Sequence, residues 1–261
     1  MSRGHRPRKR FGQHFLTDAA TIEQIVAAIQ PRDTDTIVEV GPGHGAISDP
    51  LAKLAGEFHA IELDRDLAAA IRKRFAHLSN VTIHEDDVLK FDFASLGNDL
   101  RIVGNLPYNI STPLLFRLVE FRRVIRDMHF MLQKEVVDRM AAGPGSKTYG
   151  RLTIMLGCHM EIMPLFDVPP GAFDPPPKVT SSVVGLRPLP ADRFEISDQR
   201  IYSQIVAEAF SQRRKTLRNA LKASATEEDL IAAGMDPSLR PEQASIDNYV
   251  ALANLISSRL R

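Results

Sequence analysis

The chain has 261 residues, 44% of them hydrophobic, and a formal net charge of +1. That length fits one large domain or two modest ones, and that apolar share excludes wholesale disorder. The near-zero net charge excludes a chain that is basic all over, so any contact with a polyanion must come from local patches. Cys158 is the only cysteine, which rules out an intrachain disulfide and fits a reducing compartment. Phe11–Leu16 is too short and too polar for a secretion signal, and no apolar run approaches the roughly 20 residues that span a bilayer. The expectation is a soluble cytoplasmic protein with no membrane partner.

Residues 1–16 read as a basic arm, with Arg3, Arg6, Arg8, Lys9 and Arg10 ahead of the first acid, Asp18. Thr17 or Asp18 is a good cap for a helix whose apolar positions are Ile22, Ile25, Val26 and Ile29, closed by Pro31. Thr36–Val40 reads as a buried strand, followed by glycines and a helical stretch to Leu54. Phe58–Ile61 is the next strand and Leu67–Phe75 the next helix. Val81–Ile83, Arg101–Gly104 and Met128–Leu132 are further strands, with helical patterns around Leu114–Val119 and Glu135–Met140. Gly143–Gly145 and Pro169–Pro177 punctuate the chain before a late strand at Ser182–Leu186, antiparallel and near an edge. Beyond Pro190 the pattern is wholly helical, over Ile201–Phe210, Leu217–Leu221, Leu230–Ala233 and Tyr249–Leu260. Strands alternating with helices predict an α/β fold built on a parallel sheet. The expected organisation is an arm (1–16), an α/β domain (17–190) and a small all-α domain (191–261).

Glu39-Val40-Gly41-Pro42-Gly43-His44-Gly45 follows a predicted strand and opens a helix. Glycines there allow a tight turn and close approach of the backbone to a ligand. Glu62, about 20 residues on, suits ribose hydroxyls. With Ala46 as the third small residue the segment also satisfies the loose dinucleotide pattern, so the motif alone does not separate a nicotinamide enzyme from a methyltransferase. Two details favour the methyltransferase. Pro42 removes an N–H that a pyrophosphate cradle would use, and Glu39 suits a cationic sulfonium-bearing amino acid. Asp87, in the acidic turn after the third strand, is placed for a cofactor adenine amine.

Asn105-Leu106-Pro107-Tyr108 directly follows the strand Arg101–Gly104. The Asn105 amide oxygen and the Pro107 carbonyl can accept bonds from an adenine amine and aim its lone pair. Tyr108 offers a stacking face worth about 1–3 kcal/mol. Such a site works by positioning and electrostatics and needs no strong base.

These segments resemble the KsgA/Dim1 family of small-subunit ribosomal RNA adenine dimethyltransferases. The matching stretches are Gly12-Gln13-His14-Phe15-Leu16, Glu39–Gly45, Asp87, Asn105–Ser111, Gly171–Val179 and Phe210–Leu217, covering essentially the whole chain. The resemblance implies a Rossmann-like class I S-adenosylmethionine-dependent fold with a helical C-terminal domain that meets the ribosomal RNA. It implies methylation of two adjacent adenines near the 3′ end of 16S RNA in an assembling small subunit, with an assembly-checkpoint role besides. Cofactor contacts are then implied for His14, Leu16, Gly41, Gly43, Glu62, Asp87, Val88 and Asn105. The base site is implied for Asn105, Leu106, Pro107, Tyr108 and Phe173, with Phe173 as an aromatic wall opposite Tyr108 and Leu106 giving room for a methyl already added.

RNA contacts are expected from Arg8, Lys9 and Arg10 in the arm, and from Arg213, Arg214, Lys215 and Arg218 on a basic helix reaching Lys222. The target adenine must leave its stack, which is easiest in an RNA loop. His44, His59 and His84 show no ligand spacing, so no metal is expected. The expected state is a monomer. Three alternatives stand beside this reading. They are a nicotinamide dehydrogenase, a non-catalytic ribosome assembly factor and a large-subunit RNA methyltransferase conferring macrolide resistance.

Overall fold

The computed structural model describes residues 14–260, so Arg8, Lys9 and Arg10 lie outside the described residues. In chain order the elements begin with β1 (Phe15–Leu16), α1 (Ala19–Ile29), β2 (Thr36–Val40), α2 (Ser48–Leu54), β3 (Glu57–Glu62), α3 (Arg65–Arg74) and β4 (Val81–Glu85). Next come β5 (Leu100–Asn105), α4 (Ser111–Glu120), β6 (Ile125–Gln133), α5 (Lys134–Met140), α6 (Arg151–Gly157), β7 (Met160–Val168), β8 (Phe173–Asp174) and β9 (Ser181–Pro188). Helices α7 (Gln199–Ser211), α8 (Leu217–Ala220), α9 (Glu227–Ala232) and α10 (Ile246–Arg259) complete the chain. Two compact units result. One holds the chain up to Val137 with Met163–Pro188, and the other holds Asp138–Ile162 with the chain from Leu189 on.

Local chemistry sets the ends of the elements that matter for the site. Asp18 caps α1, its carboxylate accepting the Thr21 N–H at 2.8 Å and the Thr21 hydroxyl at 2.6 Å. Asp64, two residues beyond β3, caps α3 by accepting the Asp66 and Leu67 N–H groups. A seven-stranded sheet runs in the order β4-β3-β2-β5-β6-β9-β7, and the first unit holds all of it except the opening residues 160–162 of β7. Strands β4, β3, β2, β5 and β6 run parallel, and β9 returns antiparallel along β6. Ile37, Val38 and Val40 of β2 are buried, as a parallel strand covered on both faces requires. Sequence neighbours β3 and β4 lie to one side of β2, while β5 and β6 lie to the other. The carboxyl ends of β2 and β5 therefore flank a switch point, where open α/β sheets bind ligands. A separate two-stranded pair sets Leu16 of β1 opposite Phe173 of β8.

Several elements differ from the sequence expectation. Strand β7 carries Pro164 in its interior, which argues against a strand in periodicity terms, yet it sits at the sheet edge where a missing N–H is tolerated. Strands β1 and β8 have two residues each, too few for a periodic signal. Residues 138–162, expected in the α/β domain, belong to the helical unit. There the Tyr149 hydroxyl donates to the Ala244 carbonyl at 3.0 Å and the Tyr202 hydroxyl to the Ile154 carbonyl at 3.2 Å. A Cβ on Gly157 would meet Ile246 Cδ1 at 2.7 Å, so glycine permits that close approach. The expected helix across Arg213–Lys222 is instead a turn, the four-residue α8 and a second turn, α7 having ended at Ser211.

At the amino end of the sheet, Arg101 is buried with Asp35. Its guanidinium donates to Asp35 at 2.7 Å, to Asp127 at 3.0 Å and to the Ile29 carbonyl ending α1 at 2.6 Å, while Arg126 also binds Asp35. Burial pushes the Asp35 carboxyl up, but the hydrogen bonds from Arg126 and Arg101 outweigh it and hold it below the usual carboxylate range. Asp35→Ala takes a buried carboxylate from Arg101 and Arg126, which keep Asp127 and Asp99 as partners, so it should cost about 1.5–3 kcal/mol, read as a lowered urea midpoint. The wild-type contribution is present above the unfolded carboxylate pKa and is lost as pH falls through the lowered folded value.

Candidate active site

A cavity of about 150 Å³ opens at the carboxyl ends of β2 and β5. His14 and Leu16 line it from the amino-terminal strand. Gly41, Gly43, Glu62, Asp87 and Val88 line it from the loops after β2, β3 and β4. Asn105 ends β5, Leu106, Pro107 and Tyr108 follow it, and Phe173 comes from β8. The structure thus brings the expected cofactor and base residues of the first unit to one cavity. Sequence reasoning missed Leu63, a cavity residue that is 54% exposed. The available signal was an apolar residue set between two acids, Glu62 and Asp64, at a strand end.

The glycine loop is wound so that its donors point inward. Gly41, Gly43 and Gly45 have φ of 67°, 55° and 81°, values that favour glycine. The Gly41 N–H donates to the Ile61 carbonyl at 2.9 Å, the Gly43 N–H to Glu62 at 3.4 Å and the Gly45 N–H to the Pro42 carbonyl at 2.8 Å. Pro42 has no N–H to offer. These four residues therefore give no free backbone cradle for a pyrophosphate. A Cβ on Gly43 would stand 3.1 Å from the Phe15 ring, so the loop and β1 close tightly on each other.

The wall of the cavity is acidic and partly dry. Glu62 is buried and accepts the Asp64 N–H at 2.9 Å. Burial pushes its carboxyl up, with the Asp64 and Gly43 hydrogen bonds opposing. Glu39 is 2% exposed and accepts the Ser48 hydroxyl. Burial pushes its carboxyl up to about 7, against the Ser48 bond and with help from the nearby Glu62 and Asp49 charges. A cation bound beside Glu39 favours its ionised form, so binding releases a proton below that pKa. Affinity for S-adenosylhomocysteine, whose zwitterionic amino-acid end carries an ammonium group, should therefore rise up to about tenfold per pH unit below 7 and level off above it if that ammonium sits beside Glu39. Calorimetric titration from pH 6 to 8 checks this, and Glu39→Gln should flatten the dependence. Asp87 uses one carboxylate oxygen to cap its own turn, accepting the Leu89 N–H at 3.0 Å.

Asn105 ends β5 with its carboxamide nitrogen donating to the His14 carbonyl at 3.1 Å. A carbonyl can only accept, so the atom facing it is the NH₂ group, and Oδ1 remains the acceptor of the pair. The Leu106 N–H donates to the Met131 carbonyl of β6 at 3.2 Å. The Pro107 carbonyl accepts the Ile110 N–H at 3.1 Å and keeps a second lone pair. The Tyr108 hydroxyl shares a hydrogen bond of 3.1 Å with Ser181, and its ring lies 6.0 Å from that of His14 at an interplanar angle of 30°. His14 Nδ1 is bonded to the Pro175 carbonyl at 2.7 Å, so that ring nitrogen is engaged within the protein. Phe173 is buried and paired with Leu16, which makes it a wall of the cavity and a member of the apolar core at once.

The expected RNA-binding cations of the second unit, Arg213, Arg214, Lys215 and Arg218, are all exposed and differ in their partners. Arg213 donates from Nη2 to the Lys147 and Tyr149 carbonyls, each at 3.0 Å, so it clamps a loop. Arg218 pairs with Glu227 at 3.0 Å. Arg213→Ala should lower stability by about 1–2 kcal/mol. Arg214→Ala should leave the Tm unchanged and reduce the log–log salt slope of RNA binding by about one unit, measured in a salt titration. Among the histidines, His59 Nδ1 and His84 Nε2 are 3.1 Å apart, and His44 packs on Phe15. Among the described residues, no group of three His, Cys, Asp or Glu side chains could hold a metal ion, and no helix is long and apolar enough to cross a membrane.

The family model described as ribosomal RNA adenine dimethylase matches residues 4–258. A protein of Aromatoleum aromaticum, named ribosomal RNA small subunit methyltransferase A, is 54% identical over 98% of this chain and 96% of its own. One of the same name from Thiobacillus denitrificans is 53% identical over 98% of this chain and 100% of its own. The crystal structure of a dimethyladenosine transferase from Plasmodium falciparum shares the fold, with a TM-score of 0.81 over 94% of this chain and 98% of that one at 24% identity. Matched along nearly its full length, the chain belongs to the ribosomal RNA adenine dimethylase family.

Proposed function

We propose that this chain transfers methyl groups from S-adenosylmethionine to the N6 amines of two adjacent adenines near the 3′ end of 16S RNA in an assembling small ribosomal subunit. The single observation that carries the reading is the Asn105 carboxamide. It is anchored through its nitrogen and keeps its oxygen as an acceptor, in a cavity shared with the glycine loop, Glu62 and Tyr108. The names of the half-identical relatives favour the small subunit over the large one.

The cavity suits an adenosyl amino acid. Its glycine N–H groups are engaged within the protein, which favours a ligand without phosphates over a dinucleotide. Glu62 would hold the ribose hydroxyls, Asp87 the adenine amine, and Glu39 would face the ammonium of the amino-acid end. The exposed Leu63 side chain would lie against a flat ring. When bound, S-adenosylmethionine supplies an electrophilic methyl group on positively charged sulfur.

The chain's own residues then do the positioning. Asn105 Oδ1 and the free lone pair of the Pro107 carbonyl accept the two amine hydrogens and favour a pyramidal nitrogen whose lone pair is less delocalised into the ring. Tyr108 holds the base by stacking, which lowers the entropic cost of the encounter. As the nitrogen gains positive charge, both acceptors bind its hydrogens more strongly, which is where stabilisation is most effective. One amine proton is released for each methyl gained.

Arg214, Lys215 and Arg218, with Arg8, Lys9 and Arg10 of the arm, would meet RNA phosphates. The protein acts as a cytoplasmic monomer in this reading. Incubation with unmethylated small subunits and cofactor, followed by mass spectrometry of the RNA nucleosides, tests it. N6,N6-dimethyladenosine is the expected product, and methylation of any other base or of ribose would refute it.

A further inference from the structure

We propose that Ser181 is a positioning residue for the target base, acting through Tyr108; this rests on the adenine-methylation reading above. Strand β9 opens Ser181-Ser182-Val183-Val184-Gly185-Leu186, and all six residues are buried. A hydroxyl in such a strand costs stability unless it is hydrogen-bonded. Ser182 meets that need with the Phe166 carbonyl, a structural bond. Ser181, 1% exposed, meets it with the phenol of a cavity side chain, Tyr108, at 3.1 Å.

Ser181 is a rigid post. It stands opposite Gln133 in the β6–β9 ladder, and the carbonyl of the preceding Thr180 accepts the Lys134 N–H at 3.0 Å. Its hydroxyl hangs on a single side-chain torsion. Tyr108 by contrast follows the strand tip, where its backbone carbonyl accepts the Ser111 hydroxyl at 3.1 Å but its ring is only half-buried. Pinning the phenol at one end, with the His14 ring against it and His14 itself fixed to the Pro175 carbonyl, sets the plane of the tyrosine before any base arrives. This gives a reason for tyrosine at this position, since phenylalanine keeps the stacking face and loses the pin. A platform ordered in advance spares the base the entropy of ordering it, so the gain falls on kcat and leaves cofactor affinity alone.

The test compares Tyr108→Phe, Ser181→Ala, the double variant and Ser181→Thr on unmethylated small subunits. Each of the first two should lower kcat by about fivefold, with little change in KM for the cofactor. The double variant should fall no further, because both changes remove the same bond. Ser181→Thr, which keeps the hydroxyl, should recover most of the loss. S-adenosylhomocysteine affinity by calorimetry should be unchanged in all four. In an RNA hairpin with 2-aminopurine at the target position, fluorescence quenching by the tyrosine should be weaker in Ser181→Ala.

Losses that multiply in the double variant would overturn the proposal. So would Tyr108→Phe with unchanged kcat, or Ser181→Ala weakening S-adenosylhomocysteine as much as it slows transfer. Should Ser181→Ala fail to fold, Tyr108→Phe and Ser181→Thr still decide. A wild-type protein that puts no methyl on adenine would show that the underlying reading had failed, before any variant was compared.

Discussion

Asn105→Ala lowers kcat at least about 100-fold while the protein remains folded, the scale set by removing one oriented polar group from a charge-stabilising site. The reason is the division of labour within one side chain. Its nitrogen is held by the His14 carbonyl at 3.1 Å, and its oxygen is the acceptor that the proposed mechanism offers to the amine. Alanine removes the acceptor and the anchor together. Asn105→Asp is expected to be nearly as slow despite its matching shape, because a carboxylate oxygen would face the His14 carbonyl with no hydrogen between them. Circular dichroism and steady-state kinetics with unmethylated subunits separate loss of chemistry from loss of fold. KM for the cofactor should change far less than kcat.

Glu62→Ala weakens S-adenosylhomocysteine binding about 100-fold, because hydrogen bonds to a charged group are worth about 1.5–3 kcal/mol each and the carboxylate would accept from two hydroxyls. It also releases the Gly43 and Asp64 N–H groups that Glu62 accepts at 3.4 and 2.9 Å, so the glycine loop loses a brace. Glu62→Gln keeps an acceptor for one of those groups and should fall between wild type and alanine. At saturating cofactor kcat should stay within a few fold of wild type, since Glu62 is not at the base site. Calorimetry gives the affinities, and an unchanged Kd in Glu62→Ala would remove Glu62 from the cofactor wall.

Where the residues carried their own chemistry, the sequence was legible. Thr36–Val40 is β-branched and apolar, so its burial as a central strand followed from composition, and Glu39 stood out as a charge inside it. Asn105-Leu106-Pro107-Tyr108 was readable because polar and rigid residues abruptly replace a strand pattern at a sheet end. What stayed hidden depended on partners distant in sequence. Ser181 looks like an ordinary strand residue until the fold sets it beside Tyr108, 73 positions earlier. Arg213 reads as a phosphate ligand, and only packing shows two carbonyls at 3.0 Å holding it. The allocation of residues 138–162 to the helical unit rests on Tyr149, Tyr202 and Gly157 meeting residues that local periodicity cannot foresee. Strand β7 was masked by Pro164, which an edge strand tolerates and a central one does not.

In the proposed reading the tip of β5 holds an adenine by its amine at the mouth of a cofactor cavity. The most direct measurement is a crystal structure of the protein with S-adenosylhomocysteine and an RNA loop carrying an unpaired adenine. Adenine N6 is expected within hydrogen-bond distance of both Asn105 Oδ1 and the Pro107 carbonyl, with the base stacked on Tyr108 and Glu62 on the ribose hydroxyls of the bound cofactor product. An adenine seated elsewhere while Asn105 Oδ1 turns away from the cavity, or a cofactor product bound outside the glycine loop, would contradict that reading.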